Sequence, residues 1–298
     1  MKDKKILRIL NLEGGGCKGY MYCCLLAKLE KKTGKKCHEI FDLIGGTSIG
    51  AIVAALLASD KTAQECMNFF IEDAPIIFKR KWYNQKWWNP FGFFYPMYSD
   101  KVIEKLLKEK FDNKTLKDCK TEILIPAFNL TTDEPFFFKS YEGDNTLLWK
   151  AVRASSSAQF YFPAFRDGNN VFWDGGDTNS NNPGMCTYAD AIKLKYKVKN
   201  MRILTLHCGQ YPQRWNPLRF IHCGALMNII RTVSVMFESG SQETDYQLKQ
   251  IFGKNYLSIN PTVKENFSLA KFSDKQIKVG EEWVKNYYSD MEKFVLSD

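Results

Sequence analysis

Three observations predict an α/β fold with a mainly parallel central sheet. Strand-like apolar runs alternate with helix-like segments along the chain, as βα units require. Two Gly-rich turns near the start, Gly14–Gly19 and Gly45–Gly50, each stand between such a run and a helix. The chain has 298 residues, 45% of them hydrophobic, enough to bury a full core without disulfides or metals.

Each element has its own signal. Ile6–Leu12 is a short apolar run and reads as the first strand. Gly19–Lys32 reads as a helix closed by Gly34. Phe41–Ile44 reads as a strand, and Gly50–Ala58 as a helix that is apolar on all sides and therefore buried. Ser99 is placed as an N-cap, with Val102, Ile103, Leu106, Leu107 and Phe111 following at helical spacing. Ile123–Leu130 and Phe136–Lys139 read as strands joined by a turn. Further on come a helix over Leu147–Ala154, a strand over Val171–Trp173, a helix over Ala189–Tyr196 and a strand over Arg202–Cys208. Helices over Leu226–Phe237 and Gln276–Phe294 end the series. With no internal repeat, low-complexity tract or linker, 1–298 reads as one domain with a mostly helical C-terminal part.

Composition narrows the class. The net charge of +9 favours an anionic partner, either a membrane surface or a nucleic acid, although the cations are spread along the chain as on an ordinary solvated surface apart from Lys79-Arg80-Lys81. Nine irregularly spaced cysteines without a CxxC pair argue against zinc and thioredoxin-type sites and suit buried reduced thiols in a cytosolic protein. The apolar run at the start is short, is broken by Arg8 and Asn11, and does not read as a signal peptide. The uncharged run from Leu43 to Ser59 falls short of a membrane span and reads as a turn and a buried helix.

The Gly-rich turns carry the chemistry. Gly14, Gly16 and Gly19 fit G-x-G-x-x-G, and Asp42 lies near the distance expected of a ribose contact, so a nucleotide-binding oxidoreductase is one reading. A P-loop is disfavoured because Lys18 precedes Gly19. The second turn holds G-x-S-x-G at Gly46, Ser48 and Gly50, in the strand–turn–helix setting of a nucleophile elbow. A serine ester hydrolase needs backbone N–H donors for its oxyanion, and Gly14, Gly15, Gly16, Cys17, Lys18 and Gly19 form a turn able to supply them. The serine also needs a base. Asp174, at the end of a predicted strand and freed by Gly175 and Gly176, is the better candidate; a triad through His207 or His222 would place the elbow too early in the chain.

Taken together, these motifs resemble the patatin-like phospholipases, which carry G-G-G-x-[KR]-G, G-x-S-x-G and D-G-[GA] in this order. Leu124–Thr131, Arg153–Pro163 and Asn181-Asn182-Pro183 also resemble family segments, and the likeness is strongest over 6–195. The resemblance implies a three-layer α/β/α fold and a Ser48–Asp174 dyad that releases fatty acids from phospholipid or lysophospholipid through an acyl-enzyme. It implies no metal and no cofactor. It allows an activating ligand or protein, which no motif displays. Some positions depart from the family pattern: Glu13 for Asp, Gln159 for a proline, polar Asp177 and Asn179 in a segment one residue longer than usual, and His207-Cys208-Gly209 for Gly-Thr-Gly. A second carboxylate near Asp174 is expected to raise its pKa.

The segment 79–98 interleaves aromatics with Lys79, Arg80, Lys81 and Lys86 and reads either as a cap that docks on anionic membrane or as a folded-in loop. No nucleic-acid module accompanies it. The reading is a cytoplasmic hydrolase peripheral on membranes; a catalytically silent lipid-binding protein of the same fold and a nucleotide-binding oxidoreductase using the Gly14–Gly19 loop are the alternatives.

Overall fold

The computed structural model describes residues 6–80, 94–212 and 216–297. In chain order the main elements are β1 (Leu7–Leu12), α1 (Tyr20–Thr33), α2 (Cys37–Ile40), β2 (Leu43–Gly46), α3 (Ile49–Ala58), α4 (Ala63–Asn68), α5 (Ala74–Ile77) and α6 (Asp100–Phe111). They continue with β3 (Glu122–Asn129), β4 (Glu134–Lys139), α7 (Leu148–Ser155), β5 (Phe165–Asp167), β6 (Asn170–Asp174), α8 (Gly184–Lys193), β7 (Met201–Leu206), α9 (Ala225–Phe252), β8 (Tyr256–Ile259) and α10 (Asp274–Leu296).

The strands form one sheet in the order β5-β6-β3-β2-β1-β7-β8, with β4 also on β3. From β3 to β8 the pairings are parallel; β4, β5 and β6 are the antiparallel additions. Alternate residues of the inner strands enter two separate cores, as the pleat dictates. Leu10, Leu12, Ile123, Ile125, Leu204 and Leu206 pack with α1, α3, α7 and α10. Leu7, Ile9, Leu124, Met201 and Ile203 pack with Leu248 and Phe252 of α9 and Ala191 of α8. Helices thus cover both faces, the three-layer α/β/α arrangement expected.

Register explains how distant segments meet. β4 occupies one edge of β3 along its length. On the other edge β2 pairs with Glu122–Leu124, and β6, running the opposite way, takes over at Ala127–Asn129 with Asp174 opposite Ala127. The C-terminal ends of β2 and β6 therefore run toward each other. β1 lies on the far side of β2, with Leu12 beside Gly46, so the turn after β1 opens at the same end of the sheet. This is the crevice that parallel α/β sheets use for ligands.

Local departures have simple causes. α8 begins at Gly184 and not at Ala189, because Asn182 Oδ1 accepts the Gly184 N–H at 3.0 Å after the Asn-Asn-Pro turn. α9 runs on to Phe252, far beyond the predicted Phe237, held at its end by Leu248 and Phe252 in the second core. Ser99 stands at the N-cap of α6 without a side-chain cap bond. All nine cysteines are free thiols, and six are buried. No helix among the described residues is long and apolar enough to cross a membrane.

Candidate functional site

Ser48 joins β2 to α3 with φ 57° and ψ −120°, a conformation that costs a non-Gly residue about 1–3 kcal/mol and persists only when its surroundings enforce it. They do so on every side. A Cβ on Gly46 would lie 2.2 Å from the Gly50 carbonyl oxygen, and one on Gly50 would lie 2.2 Å from that of Leu12, so both glycines are steric necessities. Ser155 Oγ accepts the Ser48 N–H at 3.1 Å, and Ser156 Oγ donates to the Ser48 carbonyl at 3.2 Å. Thr47 donates to the Ser180 carbonyl at 2.6 Å. α3 behind the turn is buried at every position, which leaves its N-terminus pointing at a half-buried Ser48.

Asp174 ends β6 and is 2% exposed. Its N–H donates to the Ser157 carbonyl at 3.3 Å, and its Oδ1 accepts the Gly176 N–H at 2.7 Å. Oδ2 is buried and has no hydrogen-bond partner among the described residues, which is unusual for a carboxylate. Burial pushes the carboxyl well above the ordinary carboxylate range, the neighbouring Asp177 charge pushes it further, and the Gly176 N–H, the nearby Ser48 hydroxyl and Arg153 oppose both. Asp177, itself raised to about 6 by burial, accepts the Gln159 N–H at 3.1 Å. A proline at 159 would have no N–H to give.

The Gly14–Gly19 turn lies beside Ser48: a Cβ on Gly14 would lie 3.2 Å from Ser48 Cβ. Its amides differ in availability. Gly14 N–H donates to the Asn181 carbonyl (3.2 Å), Cys17 N–H to the Leu269 carbonyl (2.7 Å) and Lys18 N–H to the Gly15 carbonyl (3.3 Å). Among the described residues the Gly15 and Gly16 N–H groups have no partner, and both residues are half-buried. The Ile49 N–H, at the first position of α3, is likewise without one. Of the six residues the sequence nominates as oxyanion donors, Gly15 and Gly16 are the ones with amides free, and the Ile49 amide is a further free one that the motif reading left out, although its place after the serine points to it.

The dinucleotide reading meets obstacles here. Leu269 sits on Gly16, where a Cβ would come within 2.0 Å of its carbonyl oxygen, and Asn181 Oδ1 stands 2.4 Å from a Cβ on Gly14, so the turn is already occupied. Asp42 accepts the Arg8 N–H at 2.9 Å at the opposite end of β1. His38 contacts Asp60 at the surface (3.0 Å) and His222 is exposed. His207 is buried between Glu13 and Asp245, its ring nitrogens taken up by their carboxylates. The membrane-cap segment falls largely on 81–93, outside the described residues; at its borders Phe94 is 72% and Tyr95 65% exposed.

The family model for patatin-like phospholipase matches residues 10–185, and the chain belongs to this family of lipid hydrolases. A cGAMP-activated phospholipase of Vibrio cholerae is 34% identical over 68% of this chain and 64% of its own length. Another cGAMP-activated phospholipase, of Escherichia coli, is 29% identical over 70% of this chain. The aligned region spans 63% of the latter's length. The crystal structure of VipD from Legionella pneumophila shares the fold, with a TM-score of 0.53 at 11% identity over 96% of this chain and 67% of VipD.

Proposed function

We propose that this protein is a serine acyl hydrolase of the phospholipase A or lysophospholipase type, working through a Ser48–Asp174 dyad. The observation that carries the reading is a buried carboxylate with an unpartnered oxygen beside a serine held at positive φ. Asp174 takes the Ser48 proton as the hydroxyl attacks the ester carbonyl, its raised pKa bringing it toward the range where a general base works best. The Gly15 and Gly16 N–H groups receive the oxyanion, a contribution worth about a hundred- to a thousandfold in rate per donor. The alcohol or lysolipid leaves with the proton, and water, activated by the same aspartate, releases the fatty acid. The whole chain 1–298 works as one domain in this reading.

Two partners belong to the proposal. The basic–aromatic segment 79–98, with exposed Phe94, Tyr95 and nearby Phe160, suits docking on anionic membrane from the cytoplasmic side. Replacing Lys79, Arg80, Lys81 and Lys86 by Gln should weaken binding to anionic vesicles; unchanged binding would remove the membrane partner. The names of the relatives add an activating cyclic dinucleotide of the cGAMP class.

The experiment is fatty acid release from mixed phospholipid and lysophospholipid vesicles, with and without cGAMP, comparing the native protein with Ser48→Ala. Release that falls by roughly six orders of magnitude in the variant supports Ser48 as the nucleophile. Equal release from both rejects Ser48 as nucleophile.

A further inference from the structure

The strand β1 stops at Leu12, Glu13 follows it, and the Gly-rich turn begins with the next residue. Glu13 is 12% exposed, and both its oxygens are engaged. Oε2 meets His207 Nδ1 at 3.0 Å and accepts the Cys208 N–H at 3.3 Å. Oε1 accepts from Ser241 Oγ and, at 3.3 Å, from Asn181 Nδ2. On its other side His207 Nε2 meets Asp245 Oδ1 and Ser258 Oγ, each at 3.1 Å. Asp245 accepts from Tyr256 OH, from Ser258 Oγ at 2.6 Å and from Asn182 Nδ2 at 3.2 Å. With a carboxylate on each ring nitrogen, only the imidazolium donates to both.

These contacts close a ring: Glu13 to His207, to Asp245, to Asn182, across one peptide bond to Asn181, and back to Glu13. Asn181 is its working edge. Its backbone carbonyl holds the Gly14 N–H, and its side chain stands against the Cα of both Gly14 and Gly176. The ring thus touches the Gly-rich turn and the Asp-Gly-Gly turn at one point, and α9 enters it through Ser241 and Asp245.

We propose that Glu13, His207 and Asp245 are positioning residues that aim the Gly15 and Gly16 N–H groups at the reacting carbonyl, with α9 as the element through which a shift reaches the site. This rests on the hydrolase reading of Ser48. A displacement of about 1 Å in such a site costs about a hundredfold in rate, so loosening the ring should act on kcat and spare KM.

The test uses the full chain and two variants. Ser241→Ala removes one hydroxyl from Glu13 and strands no charge; His207→Gln removes the central cation. With lysophospholipid micelles, Ser241→Ala should lower kcat several-fold and His207→Gln about tenfold or more, with KM within about threefold, at temperatures well below unfolding. Exchange of the Gly14 and Cys17 amides, read by mass spectrometry on the peptide covering them, should quicken in both while β3 is unchanged. Should His207→Gln fail to fold, Ser241→Ala and its exchange decide. A folded Ser241→Ala with native kcat and native exchange overturns the proposal. If native protein and Ser48→Ala are equally inactive both with and without cGAMP, the hydrolase reading fails on its own, and faster exchange would still support the ring as the clamp on this turn, while unchanged exchange would overturn that as well.

Discussion

The Gln159 N–H donates to Asp177 Oδ2 at 3.1 Å, and this bond holds a second carboxylate against buried Asp174. The two acids repel, so they titrate as a pair above the ordinary carboxylate range. In the proposed dyad Asp174 must be ionised to accept a proton, so kcat/KM should fall on acidification with a midpoint raised above that range. Asp177→Asn removes the like charge, so the acid limb should move to lower pH. A profile between about pH 4 and 8 for both proteins checks this; an identical limb would mean that Asp177 does not act on the base.

Gly46 and Gly50 are predicted to be the least replaceable glycines of the elbow. At either, an Ala Cβ would meet backbone oxygen at 2.2 Å, which no rotamer change relieves. Each substitution should cost about 3 kcal/mol, the upper end for overpacking. Gly34→Ala, at φ 69° with open space around it, meets only the left-handed penalty of about 1–2 kcal/mol. Urea unfolding of the three variants should reproduce this order.

The strained Ser48 depends on α7. Ser155→Ala leaves the half-buried Ser48 N–H without its acceptor, a loss of about 1 kcal/mol, the lower end for an unsatisfied donor, and frees the turn to relax from φ 57°. We expect about a tenfold lower kcat together with a lower unfolding temperature. A variant with native activity and native stability would show that the turn is held by its glycines alone.

Much of this site is legible in the sequence because its parts are local. Gly46, Ser48 and Gly50 lie within five residues, and Asp174 ends an apolar run before two glycines, so strand, turn and proposed nucleophile are read from one window each. The ring around His207 is not local. Its partners stand 194 and 38 residues away, and Asp245 lies in a polar stretch of α9 where helical periodicity fades. The departures from the family pattern were visible singly, but only the structure shows that they meet. Glu13 bonds His207, Gln159 bonds Asp177, and Asn179 packs against Gly240 of α9, where a Cβ would lie 3.3 Å away. Each substitution looks like a loss in one dimension and has its counterpart in three.

The ring also predicts how stability depends on alkaline pH. Burial pushes His207 down, but Glu13 and Asp245 outweigh it and raise the imidazolium from 6.5 to about 10. A base whose folded pKa is raised contributes stability in full below its unfolded value and loses it as pH rises toward the folded one. The unfolding temperature should therefore decline from about pH 6.5 to about pH 10. Of the other titratable groups packed on the ring, burial and the adjacent carboxylate push Cys208 and Tyr256 far above their usual range, so they add to the decline only where their unfolded counterparts ionise, above about pH 8.5; Glu13 and Asp245 are held below theirs by His207 against burial and stay ionised throughout. His207→Gln should be less stable at neutral pH and should flatten the decline. Parallel slopes for native and variant between pH 7 and 10 would mean that His207 is not the group losing its proton, and the imidazolium would have to be abandoned as the centre of the ring.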